Sequence, residues 1–236
     1  MNKIHVIGIG YRPLEQRSRE IISLSDMIVS NEGLMEVFMF YEDYEQARDK
    51  ITVVNNLQET MNMIRQNYKK KYVSVLASGD PMFFGIGRPL IKEFGRDSLA
   101  VYPDLSSMQV AFSRIKEPWG EAFLLSLHGG PHPQKRRKLE YEITDIPELL
   151  EKHRIIGILT DRINNPSEIA GVLISFSLRR HPEPSGTWRS PSLTLYVCER
   201  LGYPDEKITE GSPGDIADLS FSYPNVVIIR KNDRND

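Results

Sequence analysis

The sequence predicts a two-domain α/β protein. Its amino-terminal half should form a mostly parallel sheet with helices on both faces, and its carboxy-terminal half a mixed sheet with helices. Three observations carry that prediction. Strand-like and helix-like segments alternate through the first half. The pattern pauses at Lys116-Glu117-Pro118-Trp119-Gly120, which marks a candidate boundary between domains 1–117 and 118–236. Beyond it only some of the strands are separated by helices, which favours a mixed sheet over a second parallel one.

Taken in order, Ile4 to Ile9 reads as a strand, and Leu14 to Leu24 carries helical spacing through Leu14, Ile21, Ile22 and Leu24. Asp26 to Val29 is a short strand and Gly33 to Phe40 a helix. Ile51 to Val54 is again strand, and Leu57 to Tyr68 an amphipathic helix. Val73 to Ala77 is an apolar run of the kind a parallel sheet buries on both faces. A helix near Ile86 to Phe94, the strand Leu99 to Tyr102 and a helix from Ser106 to Ile115 complete the half. In the second half the strands are Ala122 to Leu127, Ile155 to Leu159, Leu193 to Val197 and Val226 to Ile229. Helices are expected near Ile146 to His153 and Ser167 to Leu178. Two inserts, Gly129 to Lys138 and Arg179 to Pro191, have loop composition.

Bulk properties exclude several classes of function. Thirty basic residues against 32 acidic ones leave a net charge of −2, so no overall field favours nucleic acid. One cysteine, Cys198, rules out an intramolecular disulfide and a cysteine-based zinc site; set in the run Leu193 to Val197, it reads as a small buried hydrophobe. His128 and His132 are four apart, but Pro131 and Pro133 forbid a helical metal pair, so no metal site is expected. With no signal peptide and no apolar stretch of spanning length, a cytoplasmic location is expected, without membrane partners.

The chemistry-bearing segments lie at strand ends. Gly8-Ile9-Gly10 follows the first strand, but the third glycine of a dinucleotide fingerprint would fall at Pro13, so pyrophosphate binding is disfavoured. Ser78-Gly79-Asp80-Pro81 ends the Val73 strand and delivers Asp80 to its carboxyl end, where open α/β sheets bind small molecules. Ser106 and Ser107 stand where a helix begins, with hydroxyls and free N–H groups. Taken singly, Asp80 reads as a turn former, Ser106 as a helix cap, Gly79 as a turn glycine and His128 as a loop histidine bonded to backbone.

The ordered set is more specific. It comprises Gly8-Ile9-Gly10, Ser78 to Gly87, Pro103-Asp104-Leu105-Ser106-Ser107 with Gln109 and Trp119, Ser126-Leu127-His128-Gly129, Leu159-Thr160-Asp161, and Glu199 to Glu206 leading to Glu210-Gly211. Spanning nearly the whole chain, this set resembles the tetrapyrrole (corrin/porphyrin) methylases. The Ser-Leu-His-Gly and Leu-Gly-Tyr-Pro-Asp-Glu segments resemble the branch that methylates carbon 5 of (cobalt-)precorrin-7 in cobalamin biosynthesis.

The resemblance implies the tetrapyrrole methylase fold with its active-site cleft between the domains, and S-adenosyl-L-methionine as methyl donor. It further implies a small-molecule corrinoid precursor as acceptor and a homodimer. Cofactor-binding positions implied are Ile9, Gly10, Gly79, Asp80, Phe83, Phe84, Ser106, Ser107, Leu127, His128, Leu159, Thr160, Leu201 and Gly211. His128 is the candidate catalytic residue, as acceptor of the proton released after transfer; a strong general base is not obligatory when the donor is already activated. Basic groups should hold the acceptor's carboxylates: the run Gln134 to Lys138, or alternatively Arg12, Arg88 and Arg114. A separate enzyme is expected to methylate C15 and remove a carboxylate.

The chain departs from the family pattern at Gly10-Tyr11-Arg12-Pro13, where a Gly-Pro-Gly type turn is usual, and at Asp104, commonly Gly; the two inserts are enlarged. Two other readings stand beside this one. The first is a methylase of the same fold with another acceptor, of ribosomal-RNA 2′-O-methyltransferase or diphthine synthase type. The second is a ligand-sensing module that has lost turnover.

Overall fold

A computed structural model describes residues 3–129, 138–180 and 192–232. Two compact units result, one ending at Ser106 and the other beginning at Ser107. The candidate boundary at 117/118 lies beyond the helix that opens the second unit.

The first unit is built on β1 (Ile4–Ile9), β2 (Met27–Ser30), β3 (Ile51–Val53), β4 (Val73–Ser78) and β5 (Leu99–Tyr102). They form one all-parallel sheet in the order β3-β2-β4-β1-β5. Every residue of β1 is buried, as a mainly apolar strand covered on both faces requires, His5 being its one polar side chain. Alternate side chains divide between two cores. Ile4, Val6, Val73 and Val75 meet Met61 and Ile64 of α4 (Leu57–Asn67) and Leu90 of α5 (Gly87–Phe94). Ile7, Ile9 and Leu76 meet Ile21 and Ile22 of α1 (Gln16–Leu24), Phe38 of α2 (Glu32–Phe38) and Ala47 of α3 (Tyr44–Ala47).

The chain leaves β1 toward β2 and leaves β4 toward β5, in opposite directions across the sheet. That reversal opens a crevice at the carboxyl ends of β1 and β4.

The second unit opens with α6 (Ser107–Ile115). Its sheet runs β6 (Phe123–Ser126), β7 (Ile155–Leu159), β10 (Asn225–Lys231), β8 (Leu193–Glu199), β9 (Lys207–Gly211). β6 and β7 are parallel; β10 is antiparallel to β7 and β8, and β9 to β8, so the sheet is mixed as expected. One face carries Met108 and Phe112 of α6 over Gly157. The other buries Leu125, Ile158, Val197 and Val227 against α7 (Ile146–Lys152), α8 (Pro166–Arg180) and α9 (Pro213–Ala217). Three elements have no counterpart in the sequence reading: α3, β9 and α9. β9 is an edge strand of mostly exposed, polar residues, so it lacks the apolar alternation that marks a strand. Both loop-like inserts lie almost wholly outside the described residues, as do Gln134 to Arg137.

Cys198 is fully buried in β8, and burial, with Glu206 and Glu199 nearby, pushes its thiol up to about 12. His5 is also buried, at 8% exposure, stacked 4.5 Å from Tyr72 and 6.0 Å from Tyr102, with its Nδ1 lacking a hydrogen-bond partner. Burial, reinforced by Lys3 and Arg17, lowers its pKa from the ordinary 6.5. The unfolded chain therefore binds this proton more readily than the folded one, and stability present above pH 6.5 is lost as the pH falls below it. Denaturation followed between about pH 8 and about pH 5 is expected to show a shallower acid decline for His5→Phe, which keeps the stack and removes the titration.

Candidate functional site

At the carboxyl end of the first sheet, three loops meet because Gly8 lets them. A Cβ on Gly8 would strike the Gly79 carbonyl oxygen and stand 2.5 Å from the Asp104 amide nitrogen. The contact is knit by backbone bonds: Gly79 N–H donates to the Ile9 carbonyl at 2.8 Å, and Asp104 N–H to the Gly79 carbonyl at 3.2 Å. Gly79 itself sits at φ +57°, with Leu105 O 2.7 Å from where its Cβ would be. Gly10, by contrast, faces open space, so the end of β1 is accessible to a ligand.

Asp104 gives this corner its order. Its buried carboxylate accepts from Tyr11 N–H at 2.7 Å, Arg12 N–H at 3.2 Å, Arg12 Nε at 2.8 Å and its neighbour Leu105 N–H at 2.7 Å. Gly10 N–H donates to the Tyr41 hydroxyl at 2.7 Å, and burial raises the Tyr41 pKa. The two departures from the family pattern, at 10–13 and at 104, are thus bonded to each other.

Asp80 uses one oxygen, Oδ1, to accept Met82 N–H at 2.8 Å; no described residue is bonded to Oδ2. The carboxylate is a turn former and an open acceptor at once. Phe83 and Phe84 meet edge to face at 4.8 Å, and Phe84 is 40% exposed. Ser106 is buried and Ser107 is the first residue of α6. Ile9, Gly10, Gly79, Asp80 and Ser106 therefore converge at one edge of the first sheet.

In the second unit β6, β7 and β8 run in the same direction, which brings Leu127, His128, Leu159, Thr160 and Leu201 to one sheet edge. Gly211 is not at that edge: it pairs with Leu195 near the other end of β8 and faces Asp215. The edge is held by a buried network. Asp161 accepts from Gly129 N–H at 2.8 Å, Ile163 N–H at 2.9 Å and Asn164 N–H at 2.8 Å. Asn164 Nδ2 donates to the Leu127 carbonyl at 2.9 Å, and the Thr160 hydroxyl lies 2.6 Å from both the carbonyl and Oδ1 of Asn225. His128 is half-buried, its N–H donating to Ser126 Oγ at 3.3 Å. A cavity of about 810 Å³ adjoins this edge, bordered by Asp161, Arg162, Arg200 and Tyr223, with Arg162 lying 5.9 Å over the Tyr223 ring.

The Glu199 to Glu206 segment is a clamp. Glu206 accepts from Gly202 N–H at 2.8 Å and from Arg114 Nε at 2.6 Å, and this pairing raises the Arg114 pKa and lowers that of Glu206. Arg200 lies 4.3 Å over Tyr203 and binds Asp205. Of the three arginines proposed for the acceptor's carboxylates, Arg114 is thus taken up by Glu206. Arg88 is exposed on α5 with no ion pair among the described residues, and Arg12 is held by Asp104. Tyr41, Asn164 and Asn225 had no sequence signal, since each acts through a partner far along the chain. No cluster of metal-ligating side chains occurs among the described residues.

A parallel sheet with an open crevice and glycine-lined loops, joined to a mixed α/β unit, defines a small-molecule-binding α/β protein of two units. The family model for tetrapyrrole (corrin/porphyrin) methylases matches residues 3–217, and the chain belongs to that family. It is 29% identical over 231 residues to a probable cobalt-precorrin-7 C(5)-methyltransferase of Methanocaldococcus jannaschii, covering 95% of this chain and 96% of that one. Among solved structures it resembles the precorrin-6Y methylase of cobalamin biosynthesis from Archaeoglobus fulgidus, with a TM-score of 0.67 at 21% identity over 98% and 99% of the two chains. It also resembles a Thermus thermophilus uroporphyrin-III C-methyltransferase complexed with S-adenosylhomocysteine, with a TM-score of 0.64 at 16% identity over 97% and 92%.

Proposed function

We propose that this protein transfers a methyl group from S-adenosylmethionine to C5 of a cobalt-precorrin-7-type corrinoid. The observation that carries the reading is its likeness, over nearly the full length of both chains, to a protein named for that activity. The open strand ends described above support it. When bound, S-adenosylmethionine supplies a methyl group already activated on a sulfonium, so the protein's work is alignment and exclusion of water.

In this reading the first unit holds the donor at Ile9, Gly10, Gly79 and Asp80. The free Oδ2 of Asp80 accepts from a hydroxyl or ammonium, Phe83 and Phe84 give an apolar wall, and Ser106 and Ser107 add hydroxyls. The resemblance also names Leu127, His128, Leu159, Thr160 and Leu201, which lie together at one sheet edge of the second unit. We assign Gly211 only a support for α9, where its missing side chain admits Asp215. The His128 imidazole takes the proton released from C5 after transfer. Among the described residues no helix is long and apolar enough to cross a membrane, and the near-neutral charge gives no broad basic surface. As the resemblance implies, we further propose a cytoplasmic homodimer with no nucleic-acid partner, acting beside a separate C15-methylating enzyme.

Calorimetric titration with S-adenosylhomocysteine tests the donor site. Micromolar binding is expected for the wild type, weakened about tenfold in Asp80→Ala, the loss of one charge-assisted hydrogen bond. Methyl transfer to the corrinoid, read by mass spectrometry, then tests the acceptor. Absence of binding both with and without the corrinoid would overturn the methyltransferase reading.

A further inference from the structure

We propose that Arg12 is the residue that reads a carboxylate of the acceptor, and that Asp104 is the positioning residue that aims it; this rests on the function proposed above. Three observations carry the assignment. First, Arg12 is fixed by its inner edge only. Nε donates to Asp104 Oδ1 at 2.8 Å and Nη2 reaches the Pro103 carbonyl at 3.4 Å, while no described residue is bonded to Nη1. Its side chain remains 45% exposed, against 5% for Asp104. The result is a guanidinium whose orientation is set while one donor edge stays in solvent, the geometry that binds a carboxylate in a fork.

Second, its place is right. Arg12 follows Gly10 by two residues, in the loop whose backbone Asp104 also ties through Tyr11 N–H and Arg12 N–H. It therefore stands at the open end of β1, beside the strand ends assigned to the donor. Third, of the three arginines named from the sequence, Arg12 is the one fixed at the Gly10 corner: Arg114 pairs with Glu206 in the second unit, and Arg88 lies on α5 with no ion pair among the described residues.

The ligand class is an acidic tetrapyrrole, a macrocycle carrying several peripheral carboxylates. A loop cation that is pre-aimed loses less side-chain entropy on binding than a free one, which is the use of burying Asp104 beneath it. Asp104 neutralises part of the Arg12 charge, so the pair discriminates by fork geometry more than by net attraction.

The test is steady-state kinetics with the corrinoid acceptor for wild type, Arg12→Ala, Arg12→Lys and Asp104→Asn, each also titrated with S-adenosylhomocysteine. Arg12→Ala is expected to raise KM for the acceptor about tenfold with kcat and S-adenosylhomocysteine affinity within about twofold. Arg12→Lys recovers the charge without the fork and falls between. Asp104→Asn, which keeps the shape, raises KM in the same direction. An unchanged acceptor KM in Arg12→Ala overturns the proposal, as does a loss confined to S-adenosylhomocysteine binding. Direct titration with uroporphyrin, an acidic tetrapyrrole that need not turn over, separates the two readings. If the wild type fails to methylate the corrinoid yet Arg12→Ala still weakens uroporphyrin binding, the C5 activity is wrong and the carboxylate site stands. If neither protein binds uroporphyrin and turnover is unaffected by Arg12, the carboxylate site is wrong.

Discussion

Gly8→Ala is expected to destabilise the protein by about 3 kcal/mol and to abolish S-adenosylhomocysteine binding, although the side chain gained is one methyl group. The space that methyl would need is held by backbone, with the Asp104 amide nitrogen at 2.5 Å and the Gly79 carbonyl oxygen closer still. Backbone cannot rotate aside as a flexible side chain can. Either β1 withdraws from β4 and β5, or the Gly79 and Asp104 loops separate. Both outcomes break the bonds from Gly79 N–H to Ile9 and from Asp104 N–H to Gly79, and with them the geometry at Asp80. Thermal unfolding together with calorimetry checks this. A variant that binds the ligand like the wild type would show that the three loops do not need to touch.

Asp161→Ala is expected to be nearly as damaging in the second unit, by about 3 kcal/mol, seen as a fall of about 6–10 °C in the unfolding midpoint. Asp161 is 4% exposed, and its removal leaves the N–H groups of Gly129, Ile163 and Asn164 without their acceptor in a place water reaches poorly. Asn164 then loses its orientation and the Leu127 carbonyl its partner, so the His128 segment loosens. Methyl transfer should fall more than stability alone explains. Asp161→Asn keeps one carbonyl oxygen for two of the three donors and is expected to lose about half as much. Equal effects of the two substitutions would show that charge matters here and hydrogen-bond count does not.

Much of the framework was legible because its signals are local. β1 and β4 are mainly apolar runs followed by glycine turns, and α1, α4 and α5 carry the spacing of half-buried helices. β9 was not legible: Lys207-Ile208-Thr209-Glu210-Gly211 buries no full face, and pairing with β8 makes it a strand. α9 had a readable start, Ser212 with Asp215 three residues on and Pro213 between them. Both reciprocal bonds of that capping box form, but five residues are too few for a periodic face. In the site, Gly79 and Asp80 were readable from Ser-Gly-Asp-Pro. Gly211 was matched by family pattern alone and lies away from the edge where Leu127, Leu159 and Leu201 gather, because β9 runs against β8.

By itself the sequence determined the alternation of strands and helices, the glycine turns that end β1 and β4, and membership of the methylase family, since each rests on neighbours or on an ordered set of motifs. Only the tertiary structure decided which polar groups at the strand ends are spent and which remain open. Asp104 reaches back 92 residues to Arg12, and Thr160 forward 65 residues to Asn225. Arg114 and Arg12 look alike as letters, yet the fold gives one to Glu206 in the second unit and the other to Asp104 beside Gly10. A hydrogen bond depends on which two groups the fold places about three ångströms apart, and no local pattern along the chain encodes that distance.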